Sequence, residues 1–418
     1  MVRFLLALAC KNLLRYKRRT VITSVAIAVG LALFIIIDSI LIGVDEDSVR
    51  NIRWYETSSV RIMHADYWKD RLLMPLDVHI SDVQEKIGLL GEHGLTATPR
   101  ITFSAQMILH AEDFGEDGNM PVVVTAVDPR TDNSVFRFEE TLIDGRFATS
   151  GSNELVMGSW LAQDIRAKVG HWVTLVARGN GGFFEAMDMR IVGIVNCPNP
   201  NVNRSLIMVP IDTVGIYLDM EDLATEIDVA LPASADPDEA AARIPEILGN
   251  GEQALAVMTW RELSSEYLAV IGMERKSSSI ILFLVFLIAA VGISNTMIMA
   301  INERTRELGM MRALGMPDSL IQVLFIIESG GIGLLGSISG TVLGSVANIF
   351  LVRNGIDFGF LMRMNDFGYR VQGIFRGAWS VQSLATTFAA GVVLSMLVAW
   401  IPTRRAINKD IPACLRHQ

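Results

Sequence analysis

The sequence has few cysteines, histidines and charged residues for a length of 418 residues. It contains three cysteines and six histidines, and 19% of its residues are charged, against 51% that are hydrophobic. The histidines, at positions 64, 79, 93, 110, 171 and 417, are scattered without close pairing, so no metal site is expected. Cys197 is the only cysteine between positions 45 and 275, so no disulfide can form within that segment.

The sequence also lacks a phosphate-binding loop. The pattern G-x-x-x-x-G-K-[ST] does not occur, which excludes ATP hydrolysis by that route. Gly331-x-Gly333-x-x-Gly336 matches a dinucleotide fingerprint, but it lies in an apolar segment with no preceding strand. Small residues at this spacing let helices approach closely in lipid. The sequence therefore predicts a helix-packing face on Gly336, Gly340 and Gly344.

What the sequence does have is four long apolar segments. They are Val21–Val44, Ser277–Ile301, Ser319–Val352 and Val381–Ile401. A bilayer core of roughly 30 Å needs about 20 apolar residues in a helix, so each segment can span a membrane. The sequence predicts a membrane protein with four transmembrane α-helices.

A large extracytoplasmic domain of α+β type is predicted between helices 1 and 2, at residues 45–275. This segment holds 37 of the 45 acidic residues but 18 of the 36 lysines and arginines. Since the acidic excess lies in this soluble part, net charge gives no reason to expect nucleic-acid binding. The simplest architecture is an α/β part at about 45–120 and 222–275, with a β-rich part at about 121–221 inserted into it.

Alternating apolar residues and turn signals locate the elements of this domain. Helices are expected at 82–91, where Ser81 and Gln84 have capping-box spacing, and at 237–248, with Asp236 as the cap. Strands are expected near 57–64, 96–110, 121–127, 154–157, 171–177, 187–195, 205–209, 226–231 and 254–259, with a hairpin turn at 179–182.

Lysine and arginine in short segments predict that both termini are cytoplasmic. The first 20 residues contain six of these side chains and no acid, and arginines also occur in the 302–318 turn and in the tail. Cytoplasmic loops are enriched in such residues. The 353–377 loop carries four arginines although it must lie outside, but three basic segments outweigh it. The large acidic domain is exempt, because long domains translocate largely regardless of charge.

The amino-terminal region is expected to be an amphipathic interfacial helix followed by an uncleaved anchor, together residues 1–44. Leu6–Cys10 resembles a lipoprotein cleavage site, but its apolar run is too short and its basic cluster follows the cysteine. Val21–Val44 has no small-residue cleavage site, so it is interpreted as an anchor. The residues at helical spacing are Phe4, Leu5, Leu8, Asn12 and Arg15.

A short charged segment, NERTRELGMMRALGMPD from Asn302 to Asp318, separates the second and third spans. Asn302 can cap a helix, Glu303 can pair with Arg306, and Gly315-Met316-Pro317 can stop the helix. The sequence predicts a helix at 302–315 with apolar residues on a cytoplasmic face. A helix lying in the lipid interface is one interpretation; a docking helix for a cytoplasmic partner accounts better for the mixed surface.

This segment resembles the coupling-helix signature of the FtsX/MacB/lipoprotein-releasing superfamily of ABC transporter permeases. The matches there are Glu303–Gly309 and Arg312–Gly315, and elsewhere Gly292–Thr296, Glu328 with the glycines after it, Lys11–Arg15, Pro402–Ala406 and Pro412–Arg416. The resemblance implies a MacB-like periplasmic core followed by an FtsX-like permease domain at 276–418. The ATPase-coupling residues it implies are Glu303, Arg304, Thr305, Arg306, Glu307, Met310, Met311, Arg312, Leu314 and Gly315.

The resemblance also implies a function and partners. Such permeases pair with a second permease chain, identical or not, and bind two cytoplasmic ABC ATPase subunits at the coupling helix. MacB-type proteins carry an ATPase domain on the same chain, and this sequence does not. The chain is therefore expected to be a non-catalytic subunit without its own cofactor, with ATP and Mg bound by the partner ATPase, in the bacterial inner membrane with its large domain in the periplasm.

Three stretches resemble lipoprotein-releasing permeases more than cell-division ones: Gly145–Gly158, Ile191–Ile194 and Asn199–Ser205. The favoured function is extraction of lipoproteins from the inner membrane for release to a periplasmic carrier. One alternative is MacB-like efflux of another amphiphile or peptide. The other is FtsX-like activation of a cell-wall hydrolase without transport.

Asp38 is the only ionisable residue well inside the first span. A carboxylate at the centre of a transmembrane helix costs roughly 2.5–3.5 kcal/mol on insertion scales. Asp38 either reaches to water at the membrane edge or, together with Glu328, faces a wet substrate cavity that admits amphiphile head groups.

Overall fold

The computed structural model describes residues 2–15, 17–115, 117–232, 234–249, 254–359, 370–371 and 373–407. Two compact units are present. The helical unit comprises Met1–Asp45, Ile271–Phe358 and Ile374–Gln418, and the sheet unit comprises Glu46–Val270 and Gly359–Gly373. The tail motif Pro412–Arg416 lies outside the described residues.

Fifteen α-helices occur in the described part of the chain. In chain order α1 to α15 are Val2–Arg15, Lys17–Tyr55, Ala65–Asp70, Val83–Glu92, Ala111–Phe114, Asp132–Val135, Ser159–Asp164, Pro200–Ser205, Ile211–Tyr217, Pro237–Leu248, Trp260–Leu263, Ser265–Glu303, Thr305–Ala313, Asp318–Asn354 and Val381–Ile407. Helices α2, α12, α14 and α15 are long and apolar enough to cross a membrane. They confirm the four predicted spans, although α2 continues beyond Val44 to Tyr55.

Helix α1 packs on protein through the face that the sequence assigned to the membrane surface. Leu5 and Ala9 are buried together with Leu324 of α14. Between α1 and α2, the Thr20 hydroxyl donates a hydrogen bond of 3.2 Å to the backbone carbonyl of Leu13. The apolar face of α1 therefore lies against α14.

The glycines of α14 lie at its contact with α2. A Cβ atom on Gly336 would stand 2.8 Å from Ile27 Cβ, and one on Gly340 would stand 2.8 Å from the carbonyl oxygen of Ala28. A Cβ atom on Gly344 would be 3.0 Å from that of Ile35. The two helices approach so closely because these positions carry no side chain.

The sheet unit is built on one ten-stranded sheet among the described residues. Strands β1 to β10 are Val60–His64, Thr96–Leu109, Gly118–Val127, Leu142–Gly145, Glu154–Gly158, Trp172–Arg178, Phe184–Val195, Ile207–Pro210, Glu226–Ala230 and Leu255–Thr259, and a separate pair in the helical unit is β11 (Ile356–Asp357) with β12 (Ile374–Phe375). The large α+β domain between the first and second spans is present as predicted.

Strand β2 joins the two predicted parts of this domain. The strand order is β10-β1-β9-β2-β3-β8-β5-β7-β4, with β6 pairing both β2 and β7. Thr96–Arg100 of β2 pairs with β9, whereas Arg100–Leu109 pairs with β3. Helices α4 and α10 pack on the β1, β9 and β10 end of the sheet around Ile62, Leu90 and Ile244. The α/β part and the β-rich part therefore share a continuous sheet.

Of the two predicted helix caps in this unit, one is confirmed and one is wrong. Asp236 caps α10, accepting a hydrogen bond of 3.1 Å from the backbone N–H of Asp238, as predicted. The prediction of a capping box at Ser81 is wrong, because the residue before the helix is Asp82, which has a positive φ of 51° and makes no side-chain cap hydrogen bond. The backbone N–H of Gln84 donates instead to Asp222 at 3.2 Å. A partner so distant in sequence leaves no local spacing signal.

Arg370 and Val371 belong to the sheet unit although they follow α14 in the chain. Arg370 donates to the Glu56 carboxylate at 3.2 Å, and its backbone carbonyl accepts from the Asn51 side chain at 2.7 Å. Its guanidinium lies 5.6 Å from the ring centroid of Tyr267. The basic loop that counted against the predicted orientation thus contains an arginine held by the sheet unit's own groups.

Candidate functional site

The predicted coupling segment is a short helix between two breaks in the helical backbone. Helix α12 runs to Glu303, and α13 begins at Thr305. The backbone breaks at Arg304, with φ −110° and ψ 16°, so the predicted start at Asn302 is wrong, because Asn302 lies in the last turn of α12. At the other end, Gly315 has a φ of +89°, a conformation that glycine adopts at no steric cost.

The side chains of this segment divide between an exposed and a buried face. Glu303, Arg306, Met310 and Leu314 are exposed, and Leu314 is 88% exposed. Arg306 and Met310 lie four residues apart on α13 and Leu314 follows four residues later at its C-cap, so these three form one stripe, whereas Glu303 precedes the break at Arg304. The stripe combines a positive charge with apolar surface, and Glu303 and half-exposed Glu307 carry negative charge beside it.

Arg304 and Thr305 face inward, so neither can contact a soluble partner directly. The Thr305 hydroxyl donates back to the carbonyl oxygens of Ile301 and Asn302, at 3.1 and 2.9 Å. Both residues are about 95% buried. Both were predicted as ATPase-coupling residues, and their burial means that any such role must act through other residues of the chain.

Arg304 forms a buried ion pair with Glu328 of α14. The Arg304 Nη1 to Glu328 Oε2 distance is 3.1 Å, and the side chains are 4% and 0% exposed. Asn12 of α1 donates to the same Glu328 oxygen at 3.3 Å. The prediction that Glu328 lines a substrate cavity is therefore wrong, because its carboxylate is enclosed by these partners and has no accessible surface.

Two further ion pairs involve α13. Arg15 of α1 lies 3.1 Å from Glu307, and Arg312 lies 2.9 Å from Asp318 at the start of α14. Met311 is only partly buried, between α1 and α14 side chains. The sequence did not predict Arg15 or Asn12 as site residues, although both belong to Lys11–Arg15, one of the stretches that resemble the superfamily.

Asp38 lines a cavity of about 440 Å³ in the helical unit. The Ser383 hydroxyl of α15 donates a hydrogen bond to the Asp38 carboxylate. The other polar lining residues are Asp45, Ser279, Ser380, Gln382, Thr386 and Thr387. Within the part of the chain that the structure describes, no group of three His, Cys, Asp or Glu side chains is arranged to hold a metal. The cavity can solvate a polar group within an apolar span.

A second cavity, of about 420 Å³, follows the first along the same helices α2, α12 and α15. Its walls are mainly apolar, including Ile27, Val285 and Leu394. Thr23 and Thr296 bridge α2 and α12 at 3.0 Å along this wall. A polar and an apolar cavity thus lie one after the other along these helices.

The stretch Gly145–Gly158, which pointed to a lipoprotein-releasing permease, forms a turn held by an ion pair. The Arg146 guanidinium bonds both oxygens of Glu154, one of them at 2.8 Å. Gly145 has a φ of +76°, and a Cβ atom there would lie 2.0 Å from the carbonyl oxygen of Val192. These residue types are explained by local structure.

The stretch Asn199–Ser205 is structural as well. Asn199 caps α8 by accepting from the backbone N–H of Asn201 at 3.1 Å. Asn203 is fully buried and donates to the carbonyl oxygen of Cys197 at 2.7 Å. A Cβ atom on Gly158 would meet the Asn203 carbonyl oxygen at 2.4 Å. Neither stretch presents a cargo-binding arrangement.

Comparison with protein families matches two consecutive parts of the chain. Residues 20–247 match the family described as MacB-like periplasmic core domain. Residues 279–411 match the family described as FtsX-like permease C-terminal. The first match covers more than half of the chain.

Curated relatives come from the same group of proteins. The lipoprotein-releasing system transmembrane protein LolC of Neisseria meningitidis serogroup B is 24% identical over 301 residues, 69% of this chain and 72% of that protein. The macrolide export ATP-binding/permease protein MacB of Escherichia coli is 24% identical over 244 residues, 56% of this chain and 35% of MacB. The periplasmic region of MacB from Actinobacillus actinomycetemcomitans aligns with 53% of this chain and 97% of that structure, at 16% identity and a TM-score of 0.37.

Proposed function

The chain belongs to the FtsX/MacB/LolC superfamily of ABC transporter permeases, and we propose that it acts as the permease subunit on which a separate ATPase drives release of an amphiphile. The exposed stripe of α13, formed by Arg306, Met310 and Leu314, is the observation that carries this proposal. Half-exposed Glu307 borders it. Charged and apolar side chains on a rigid helix provide steering and buried contact area for a soluble partner.

The docking role of this stripe predicts loss of ATPase binding when its charge is reversed. Arg306→Glu should weaken binding of the co-expressed ATPase subunit roughly tenfold, about 1.4 kcal/mol, because a contact-forming arginine becomes a repulsive carboxylate. Binding is measured by pull-down and by surface titration in detergent. Arg405→Glu, at an exposed position near the end of α15, is the matched control and should bind normally. Equal binding by both variants and wild type would refute the docking surface.

We propose that the Asp38 cavity receives the polar head group of the transported amphiphile, and that the adjoining apolar cavity receives its chain. The hydrogen bond from Ser383 and the surrounding hydroxyls support this role over simple exposure at the membrane edge. A carboxylate in an apolar span is expensive, so one that lines a cavity is a functional candidate.

Asp38→Asn tests the cavity because it removes the charge and nearly preserves the shape. We expect at least a fivefold loss of transport in proteoliposomes with an unchanged ATPase complex. Asp357→Asn, a carboxylate of the helical unit outside the cavity lining, should transport normally. Full transport by Asp38→Asn would reduce Asp38 to a polar residue at the membrane edge.

Among cargo classes, the proposal favours lipoproteins delivered to a periplasmic carrier. Its support is the length of the match to LolC, whose name gives lipoprotein release, compared with the shorter match to MacB, whose name gives macrolide export. Purifying the complex and identifying bound molecules by mass spectrometry tests it. Acylated protein supports the proposal. A bound small amphiphile favours efflux, and a bound cell-wall hydrolase favours signal relay.

A further inference from the structure

We propose that the amino-terminal helix α1 moves together with the coupling helix α13, because the Glu328 carboxylate holds α1 to α13 and α14. In this arrangement a displacement of α13 moves α1 and the facing end of α14 as one body. The inference rests on the proposed docking role of α13. It assigns positioning roles to Arg304, Glu328 and Asn12, whose side chains meet at one carboxylate oxygen.

Arg304 lies at the joint between α12 and α13. It is the single residue between the end of α12 and the start of α13. Its side chain is 4% exposed and reaches Glu328, which has no exposed surface. The angle between α12 and α13 is therefore set by where Glu328 holds the guanidinium.

Separating the Arg304–Glu328 ion pair costs free energy. An ion pair enclosed in protein has given up its hydration, so removing one partner leaves a charge without compensation. Buried pairs of this kind are weak evidence for stability, since apolar side chains could replace them, but they restrict the permitted arrangement. The pair thus specifies one position of α13 relative to α14.

Helix α1 is bound to the same carboxylate. Asn12 donates to Glu328 Oε2, the same oxygen that accepts from Arg304. One turn earlier in α1, Ala9 is buried beside Leu324 of α14. Leu13 fills the space beside Gly331, where a Cβ atom would come within 2.6 Å of it. Hydrogen bonding and packing together fix α1 to α14 at the level of the ion pair.

A second ion pair links α1 directly to α13. Arg15 lies 3.1 Å from Glu307, although both side chains are substantially exposed. Exposed pairs contribute little to stability. Its position one turn beyond Asn12 means that α1 contacts α13 directly as well as through Glu328.

The experiment measures the α1 to α13 distance in the complete complex with its ATPase, in nanodiscs. Spin labels replace Ala7 and Ala313, which are both exposed. With wild-type side chains at the joint, we expect one narrow distance population, the same without nucleotide and with trapped ADP-vanadate. A distance that changes between the two states, or that is broad in both, would overturn the inference.

Variants separate positioning from simple folding. Asn12→Leu keeps the volume and loses the hydrogen bond, and Arg304→Gln with Glu328→Gln removes both charges together. Each should leave ATPase binding intact, broaden the label distance, and lower release of a fluorescent triacylated lipopeptide per ATP at least fivefold. Lys11→Gln, at an exposed position of α1, is the control and should change none of these. Unchanged release per ATP in the folded variants would refute the positioning roles.

The outcomes distinguish this inference from the proposed function. If the wild-type chain binds no ATPase, the proposed function fails, while the label distance in the free chain still reports whether the joint is rigid. If the ATPase binds and the joint is mobile, the proposed function stands and the role of α1 fails.

Discussion

At the scale of single residues, Arg304 and Arg306 have opposite roles although they are neighbours in one charged run. Arg304 lies at the break between α12 and α13, whereas Arg306 lies in the first turn of α13. Arg304 is buried against Glu328, and Arg306 is exposed. The sequence marks both as charged, but only packing decides which of them is available to a partner.

Glu154 provides a test of local electrostatics in the sheet unit. The hydrogen bond from Arg146, assisted by those from Thr149 and Ser152, lowers the pKa of Glu154 to about 2. A carboxyl group whose folded pKa is depressed stabilises the fold above its unfolded pKa, here 4.5, and this contribution disappears as the pH falls towards 2. Glu154→Gln should therefore unfold at a lower temperature at pH 7, with the difference from wild type shrinking below pH 4.5.

Thermal unfolding of the full chain in detergent between pH 3 and pH 7 measures this effect. Glu246→Gln, an exposed carboxylate on α10, serves as the control. A Glu154→Gln difference that is constant across this range would show that the ion pair does not contribute in the expected direction.

At the scale of elements, helical periodicity located α1 and α14 but left their partners open. The apolar face of α1 was expected to lie on lipid, and it lies on α14. Lipid and a neighbouring helix are equally apolar surroundings, so the same pattern serves both. The glycines of α14 carry more information, because only close approach of another helix explains them.

Gly340 and Gly292 form a matched pair for testing helix approach. A Cβ atom on Gly340 would meet the backbone of α2 at 2.8 Å, whereas one on Gly292 of α12 would meet nothing within 4 Å. Gly340→Ala should destabilise the chain by about 1–3 kcal/mol, because backbone must shift to admit the methyl group. Gly292→Ala should be neutral or stabilising by about 0.5–1 kcal/mol. Denaturant unfolding in detergent measures both, and equal effects would contradict the packing argument.

At the scale of the whole molecule, the predicted orientation is the property that every functional proposal uses. The topology follows from lysines and arginines in short segments. The structure gives four apolar helices and a large domain between the first two, and these features alone do not distinguish the two orientations. The orientation therefore remains a prediction.

Single cysteines at positions 150 and 310 test it on a background without Cys10 and Cys414. Both positions are exposed. Cys197 can remain, because it is fully buried and burial raises the pKa of its thiol to about 12, which leaves it unreactive at neutral pH. A membrane-impermeant maleimide added to intact spheroplasts should label position 150 and spare position 310. Labelling of position 310 alone would invert the topology.

The sequence by itself determined the four spans, the α+β domain between the first two and the charged helix after the second. Those features depend on chain-local properties: segment length, hydropathy, periodicity and a short motif. Only the tertiary structure decided that β2 carries both parts of the sheet, that Arg370 joins the sheet unit, and that Glu328 holds Arg304 and Asn12. Each of these depends on residues far apart in the chain, whose meeting is set by packing and leaves no spacing to read.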